Sequence, residues 1–197
     1  MIQKIIIATM VISLYLLGIA AAEDSHHHSQ YAGQEKRVIK SLSPDDIAEL
    51  EQGKGWGLAK AAELNGMPGP SHLIPMKEKI HLSTEQIIKI EKLYESMKAS
   101  AIPLGKQLIE LEKQLNQSFE NQTMTTARLK ELLQQIAKTT SQLRFVHLST
   151  HLATPKILTS LQIQQYNRLR GYTGADVCDH PPEGHNMDMW KKHNNCE

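Results

Sequence analysis

Two histidines, His147 and His151, stand four residues apart in a segment whose apolar spacing predicts a helix. Residues at positions i and i+4 project from the same face of a helix, so both imidazoles can reach one ion. The three residues between them include no glutamate, which zinc proteases carry in H-E-x-x-H. The pair therefore predicts either a chelating site or two boundary histidines that make hydrogen bonds or ion pairs, and it does not predict hydrolysis.

Two glutamates are expected to face this pair. If the chain turns near Asn121, equal helical rise on both sides places position 147 opposite about 96 and position 151 opposite about 92. Glu91 and Glu95 lie there and are also four residues apart. Imidazole and carboxylate together suit a divalent transition metal, with zinc the first expectation and nickel, cobalt or copper the alternatives.

His72 and Met76 form a third pair with a spacing of four, in a short segment that precedes the long helices. They could add ligands to the same ion, or they could be a helix start and a methionine of the core. The sequence shows no Ser/His/Asp order, no glycine-rich phosphate loop and no CxxC pair. These absences favour a protein that is not an enzyme.

The N-terminus reads as an export signal over residues 1–22. Lys4 is followed by an apolar run from Ile5 to Ala22, and Ala20 and Ala22 form an A-x-A pattern before Glu23. Cleavage after Ala22 and a periplasmic location are therefore expected. The alternative is an uncleaved anchor, because the run is near the lower limit for a membrane-spanning helix.

Composition and the chain ends bound the remaining possibilities. Lys and Arg number 22 against 21 Asp and Glu, and aromatic residues are 5% of the chain. The chain therefore has neither the excess positive charge that binds phosphates nor the aromatic surface that stacks with bases, and nucleic acid is excluded as a partner. Residues 23–40 and 173–197 are expected to be flexible, the first with consecutive histidines and the second with histidines, methionines and both cysteines. Cys178 and Cys196 can pair in an oxidising compartment.

Capping signals predict the helices of the region 41–172. Short helices are expected from Ser43 towards Glu51 and over 58–64, each ended by glycine or proline, and a third is expected after Ser71 with Pro75 in its first turn. Ser83 and Gln86 form a capping box that opens a long helix, although Pro103 should bend it. A last helix is expected from about 158 to 170, before Gly171.

Two apolar seams, separated by the polar and turn-prone stretch 116–125, predict the arrangement of the long helices. The first seam is Ile87, Ile90, Tyr94, Met97, Ala101, Leu104, Leu108, Leu111 and Leu115, and the second is Leu129, Leu132, Ile136, Thr139, Leu143, Val146 and Thr150. Both alternate steps of three and four. A short connection between such helices predicts an all-α fold, namely a long antiparallel helical hairpin with short flanking helices, and burial of both seams favours a dimer.

The two capped starts also carry a duplicated L-[ST]-x-x-Q motif, once over 82–86 and once over 158–162. This duplication around a long hairpin and behind an export signal resembles the periplasmic Spy/CpxP superfamily. Over about 54–172 the chain looks most similar to its metal-responsive branch, the ZraP-like and CnrX-like heavy-metal resistance proteins. The ligands that the resemblance implies are His72 with Met76, Glu95 or Glu91, and His147 with His151. Met76 stands where that branch has a second histidine.

The resemblance implies a periplasmic metal-binding protein of the heavy-metal resistance or sensing type, with the metal between the two long helices. The alternative is an ATP-independent periplasmic chaperone of the Spy/CpxP type. The partners implied are a second copy of the chain in a homodimer and either a membrane-bound regulatory protein or unfolded client proteins. A third possibility is a structural helix pair whose histidines bind nothing.

Overall fold

The computed structural model of the protein describes residues 29–172 and 186–193, and within these ranges every regular element is a helix. The α-helices are α1 (Pro44–Glu51), α2 (Lys60–Glu63), α3 (Pro70–Leu73), α4 (Thr84–Glu120), α5 (Thr126–Ala153), α6 (Ser160–Leu169) and α7 (Met187–His193). Short 3₁₀ segments occupy Gln34–Lys36, Ile74–Met76 and Thr154–Ile157. The predicted all-α class is confirmed.

Several sequence-based expectations fall outside the described residues. These are the export signal over 1–22 with its cleavage site, the consecutive histidines at 26–28, and both cysteines. Residues 29–32 form a turn closed by a hydrogen bond from the Ala32 amide to the Ser29 carbonyl. No helix in the described ranges has the length and apolar character needed to cross a membrane.

Side chains cap α1, α4 and α6 where the sequence predicted starts, whereas α2 and α3 have no side-chain cap and α3 begins at Pro70, before the predicted Ser71. The Ser43 hydroxyl accepts a hydrogen bond from the Asp46 amide, and the Ser83 hydroxyl accepts one from the Gln86 amide. In return, the side chains of Asp46 and Gln86 accept hydrogen bonds from the backbone amides of Ser43 and Ser83, which completes a capping box at each helix start. Each capping box satisfies two backbone donors that would otherwise be unpaired. These boxes fix the first turns of α1 and α4.

The long helices α4 and α5 pack against each other along the predicted seams. Ile90, Met97, Ala101, Leu108 and Leu111 are buried on α4, and Leu132, Thr139, Leu143 and Thr150 are buried on α5. Helix α4 is continuous through Pro103, whose side chain is exposed. Because the missing amide and the crowding ring lie on the solvent side, the helix tolerates this proline.

The first core cluster joins α1 to the long helices. Its buried members are Ile39, Leu42, Leu50, Ala101, Leu108 and Leu143. Gly105 allows the close contact, because a Cβ at this position would overlap the Leu50 carbonyl oxygen. The sequence predicted a flexible segment up to residue 40, but Ile39 is 3% exposed, so packing begins before that boundary.

The second core cluster joins the starts of α4 and α6 and has Leu73, Ile80, Ile90 and Tyr166 as its buried members. Beside it the two motif glutamines form a reciprocal pair: Gln86 Nε2 donates to Gln162 Oε1 at 2.9 Å, and Gln162 Nε2 donates to Gln86 Oε1 at 3.0 Å. The duplicated motif therefore caps two helices and also bonds their first turns together. Further along, α7 is a helix within the region that the sequence predicted as a flexible tail.

Candidate metal centre

His147 and His151 lie on the last turns of α5 and are 2% and 7% exposed. The Nε2 atom of His147 is buried and has no hydrogen-bond partner among the described residues. Burial lowers the pKa of His147 below its usual value, and the neighbouring His151 lowers it further. At neutral pH this imidazole is therefore uncharged, which is the form that can bind a metal.

The segment between α2 and α3 holds the ring of His151. Its Nδ1 atom lies 2.8 Å from the carbonyl oxygen of Met67. A carbonyl can only accept a hydrogen bond, so Nδ1 carries the proton in the neutral ring and Nε2 keeps its lone pair. Gly69 lies against the same ring, where a Cβ would come within 2.5 Å of Nε2. This packing fixes both the tautomer and the orientation of His151.

Glu63, at the end of α2, is a buried carboxylate with three donors on one oxygen. Its Oε1 accepts hydrogen bonds from the Tyr166 hydroxyl at 2.5 Å, the Tyr172 hydroxyl at 2.9 Å and Arg170 Nε at 3.1 Å. Burial, followed by the bond to Glu63, raises the pKa of both tyrosines above the usual value. The donors thus keep their protons and hold the carboxylate in place.

The other oxygen of Glu63 points to the histidine pair. Oε2 is buried without a hydrogen-bond partner in the described part of the chain, and it lies 3.9 Å from Nδ1 of His151. It is therefore on the protonated side of the ring and away from the lone pair at Nε2. The Met67 carbonyl is the hydrogen-bonded partner of this nitrogen, as is common for metal-binding histidines, and Glu63 adds a negative charge beside it without a hydrogen bond.

His72, on α3, is half-buried and shares a cleft with Glu63, His147 and His151. Burial lowers the pKa of His72, and the positive charge of Arg170 lowers it further. Glu63 and His151 also interact electrostatically with this ring. The cleft thus contains three of the histidines that the sequence singled out.

Glu91 and Glu95 are exposed, and neither lines this cleft. Each follows a seam residue by one position, which turns its side chain about 100° away from the seam because an α-helix has 3.6 residues per turn. His147 follows a seam residue in the same way. Its flank, however, is covered by α2 and the segment before α3, whereas the flank that carries the glutamates faces solvent.

Met76 is half-buried and packs against the second core cluster, as the core-methionine alternative predicted. It does not line the cleft. Over residues 29–172 and 186–193, no group of three or more His, Cys, Asp and Glu side chains is already arranged to hold a metal ion. The histidine pair is therefore the assembled part of the site, and His72 lies beside it.

Sequence reasoning missed Glu63. The residue lies in a four-residue helix of no marked amphipathic pattern, so spacing gave it no partner. The only sequence signal for Glu63 is that it is a single acidic residue, preceded by two alanines and followed closely by the Asn65-Gly66 turn. Its role depends on Tyr166, which is 103 positions away.

The chain was compared with known proteins at three levels. It matches no protein-family model, no curated protein and no solved structure. The resemblance to the Spy/CpxP superfamily therefore rests on the duplicated motif and its placement.

Proposed function

We propose that this protein is an exported, periplasmic metal-binding protein of the heavy-metal resistance or sensing type. The observation that carries the proposal is the state of the histidine pair on α5. His147 has a buried Nε2 without a hydrogen-bond partner in the described residues, and His151 has its Nδ1 committed to a carbonyl. His151 thus offers its Nε2 lone pair, and His147, on the same helix face, has an Nε2 that no protein group uses, as a chelating pair requires.

The ligand set follows from this geometry. His147 and His151 are the first two ligands, and His72 supplies a third after its ring reorients. Glu63 and the Met67 carbonyl act as outer partners of His151, because both lie on the Nδ1 side. A site rich in imidazole accepts zinc, and it also accepts nickel, cobalt or copper.

The long helices are proposed to form an antiparallel hairpin. Five residues, 121–125, connect α4 to α5, and such a short connection brings consecutive helices side by side in opposite directions. Next to this turn the Arg128 side chain donates to Gln114, fourteen positions earlier. Ala101 and Leu143, which the same register places opposite each other, both belong to the first core cluster.

Metal binding in this arrangement changes the conformational equilibrium. The ligands come from α3 and α5, so the ion stabilises only the state in which these two helices are held together. The binding free energy then becomes a population shift that a membrane-bound regulatory partner can read. This is the mechanism proposed for sensing.

Calorimetric titration with zinc tests the proposal. Six of the ten histidines are in the terminal segments and can bind metal loosely, so the reference protein carries alanine at those six positions, namely His26, His27, His28, His180, His185 and His193. We expect this protein to bind one zinc ion, and the His147→Ala/His151→Ala variant to lose saturable binding below about 1 mM. His81→Asn is the matched control, because His81 is exposed and asparagine tolerates its left-handed backbone.

Two results would overturn the proposal. One is a reference protein that binds no zinc with a Kd below about 1 mM. The other is unchanged affinity in the double variant, which would move the site away from α5. Titration with cobalt adds a spectroscopic measurement, because the visible absorption bands of bound cobalt report its coordination geometry without relying on calorimetry.

Exposed apolar side chains favour a second candidate, an ATP-independent chaperone. Phe145 and Leu152 on α5 are 71% and 59% exposed and lie seven positions apart, and Ile88 on α4 is 60% exposed. Residues seven apart share a helix face. Such a surface suits unfolded clients, and it also suits a second copy of the chain in the dimer that we propose.

An aggregation assay with a thermally unfolding client separates the two candidates. A chaperone suppresses aggregation in the presence of a metal chelator, and Phe145→Ser/Leu152→Ser weakens that suppression while leaving zinc affinity unchanged. A metal sensor without chaperone activity does not suppress aggregation under either condition. Sedimentation of the same two proteins shows whether this stripe also holds the dimer.

A further inference from the structure

The cleft beside the histidines is larger than a metal ion needs. It has a volume of about 550 Å³, whereas binding sites for small organic ligands span roughly 300–1,000 Å³. The glycine-rich loop 53–57 forms one side of its mouth. A Cβ added at Gly55 would meet no atom within 4 Å, so this side is open. The size therefore indicates room for a second ligand beside the ion.

The charge of the cleft favours an anion. Lys54, Lys60 and Arg170 line it with positive charge, against two acids, Glu49 and Glu63. Arg170 is already paired with Glu63. The side-chain ammonium groups of Lys54 and Lys60 make no hydrogen bond or ion pair within the described residues, and both side chains are exposed. A bound divalent ion would raise the positive potential further.

The His147 imidazole also lines the cleft. Its Nε2 is buried and has no hydrogen-bond partner in the described part of the chain. If His72 joined His147 and His151, the three imidazoles would leave an ion room for an exogenous oxygen donor. Trp56, Tyr94 and Tyr172 form apolar walls around the space, and these suit a short carbon chain.

We propose that the cleft binds a small organic dicarboxylate together with the metal. One carboxylate of this ligand completes the coordination of the ion at His147, and the other pairs with Lys54 and Lys60 at the mouth. This inference rests on the proposed metal site. It adds dicarboxylates as the class of organic ligand, so the protein would bind a metal ion and a dicarboxylate together.

Coupled binding of zinc and succinate tests the inference. Succinate is used because it spans two carboxylates with a short chain. Radiolabelled succinate is dialysed against the purified protein with and without zinc, and zinc is titrated calorimetrically with and without succinate. We expect each ligand to tighten the other about tenfold, a coupling free energy of about 1.4 kcal/mol, and the factor must be equal in both directions.

Charge variants locate the second carboxylate. Lys54→Gln/Lys60→Gln is expected to abolish the coupling while zinc affinity without succinate changes by less than about threefold. Lys130→Gln/Lys138→Gln is the matched control, because both lysines are exposed on α5 outside the cleft. This control should keep the full coupling.

Coupling below about twofold, or full coupling in Lys54→Gln/Lys60→Gln, would overturn the inference. Zinc titration without succinate tests the metal site separately from the dicarboxylate site. If zinc binds alone at His147 and His151 and no coupling appears, the dicarboxylate is refuted and the metal site stands. If zinc does not bind, both fail.

Discussion

Replacing His147 with leucine is expected to stabilise the metal-free protein. The imidazole is 2% exposed, and its Nε2 has no hydrogen-bond partner in the described residues. A buried polar group without a partner costs about 1–3 kcal/mol relative to an apolar group of similar shape. Leucine has a volume close to that of histidine, and the cleft that His147 lines also contains the apolar side chain of Met97. The free energy of unfolding should therefore rise by about 1–3 kcal/mol.

The assay is urea unfolding with a metal chelator present, followed by the same experiment with zinc. For a chain of this size each kcal/mol corresponds to about 2–4 °C in Tm, so the difference is measurable by heat as well. Zinc at one hundred times its Kd should stabilise the wild type by about 2.7 kcal/mol and should not stabilise His147→Leu. Zinc therefore offsets the gain from leucine, and the order of stability reverses when that gain is below about 2.7 kcal/mol. Gln142→Leu, an exposed position of the same helix, controls for the added leucine.

A destabilised His147→Leu protein in the presence of chelator would refute this reasoning. It would mean that the imidazole is satisfied in the metal-free state and contributes to folding. Equal stabilisation of both proteins by zinc would refute the ligand assignment. A histidine kept for metal binding at the expense of stability is the outcome that the structure predicts.

Three further predictions concern the same cleft and its supports. Gly69→Ala should displace the His151 ring, since a Cβ would lie 2.5 Å from Nε2, and calorimetry should show a loss of zinc affinity of about 10- to 100-fold. Gly105→Ala should lower the free energy of unfolding in urea by about 1–3 kcal/mol, because its Cβ would overlap a backbone carbonyl of α1. Gly55→Ala is the control: no atom lies near its Cβ, so its free energy of unfolding should change by less than about 0.5 kcal/mol. The pKa of His147 is lowered in the folded state, so the unfolded chain binds protons more readily and metal-free stability should fall as pH drops below 6.5; a slope unchanged in His147→Leu would contradict this.

The sequence alone determined the helices and their buried faces. Capping boxes at Ser43 and Ser83 depend on residues three positions apart, so local hydrogen bonding sets those helix starts. The seam residues follow from helical periodicity, and Leu108 and Leu143 are buried as their spacing predicted. The histidine pair also follows from local sequence, because a spacing of four residues on one helix places His147 beside His151.

Only the tertiary structure decided what surrounds that pair. Glu63 and Met67 reach His151 from positions more than eighty residues away, and no local pattern marks either of them. The glutamates expected from the sequence, Glu91 and Glu95, have the right spacing but are exposed to solvent in the part of the chain that the structure describes. Periodicity fixes the angle of a side chain around its own helix, whereas the packing of α2 and α3 decides which flank becomes a buried site.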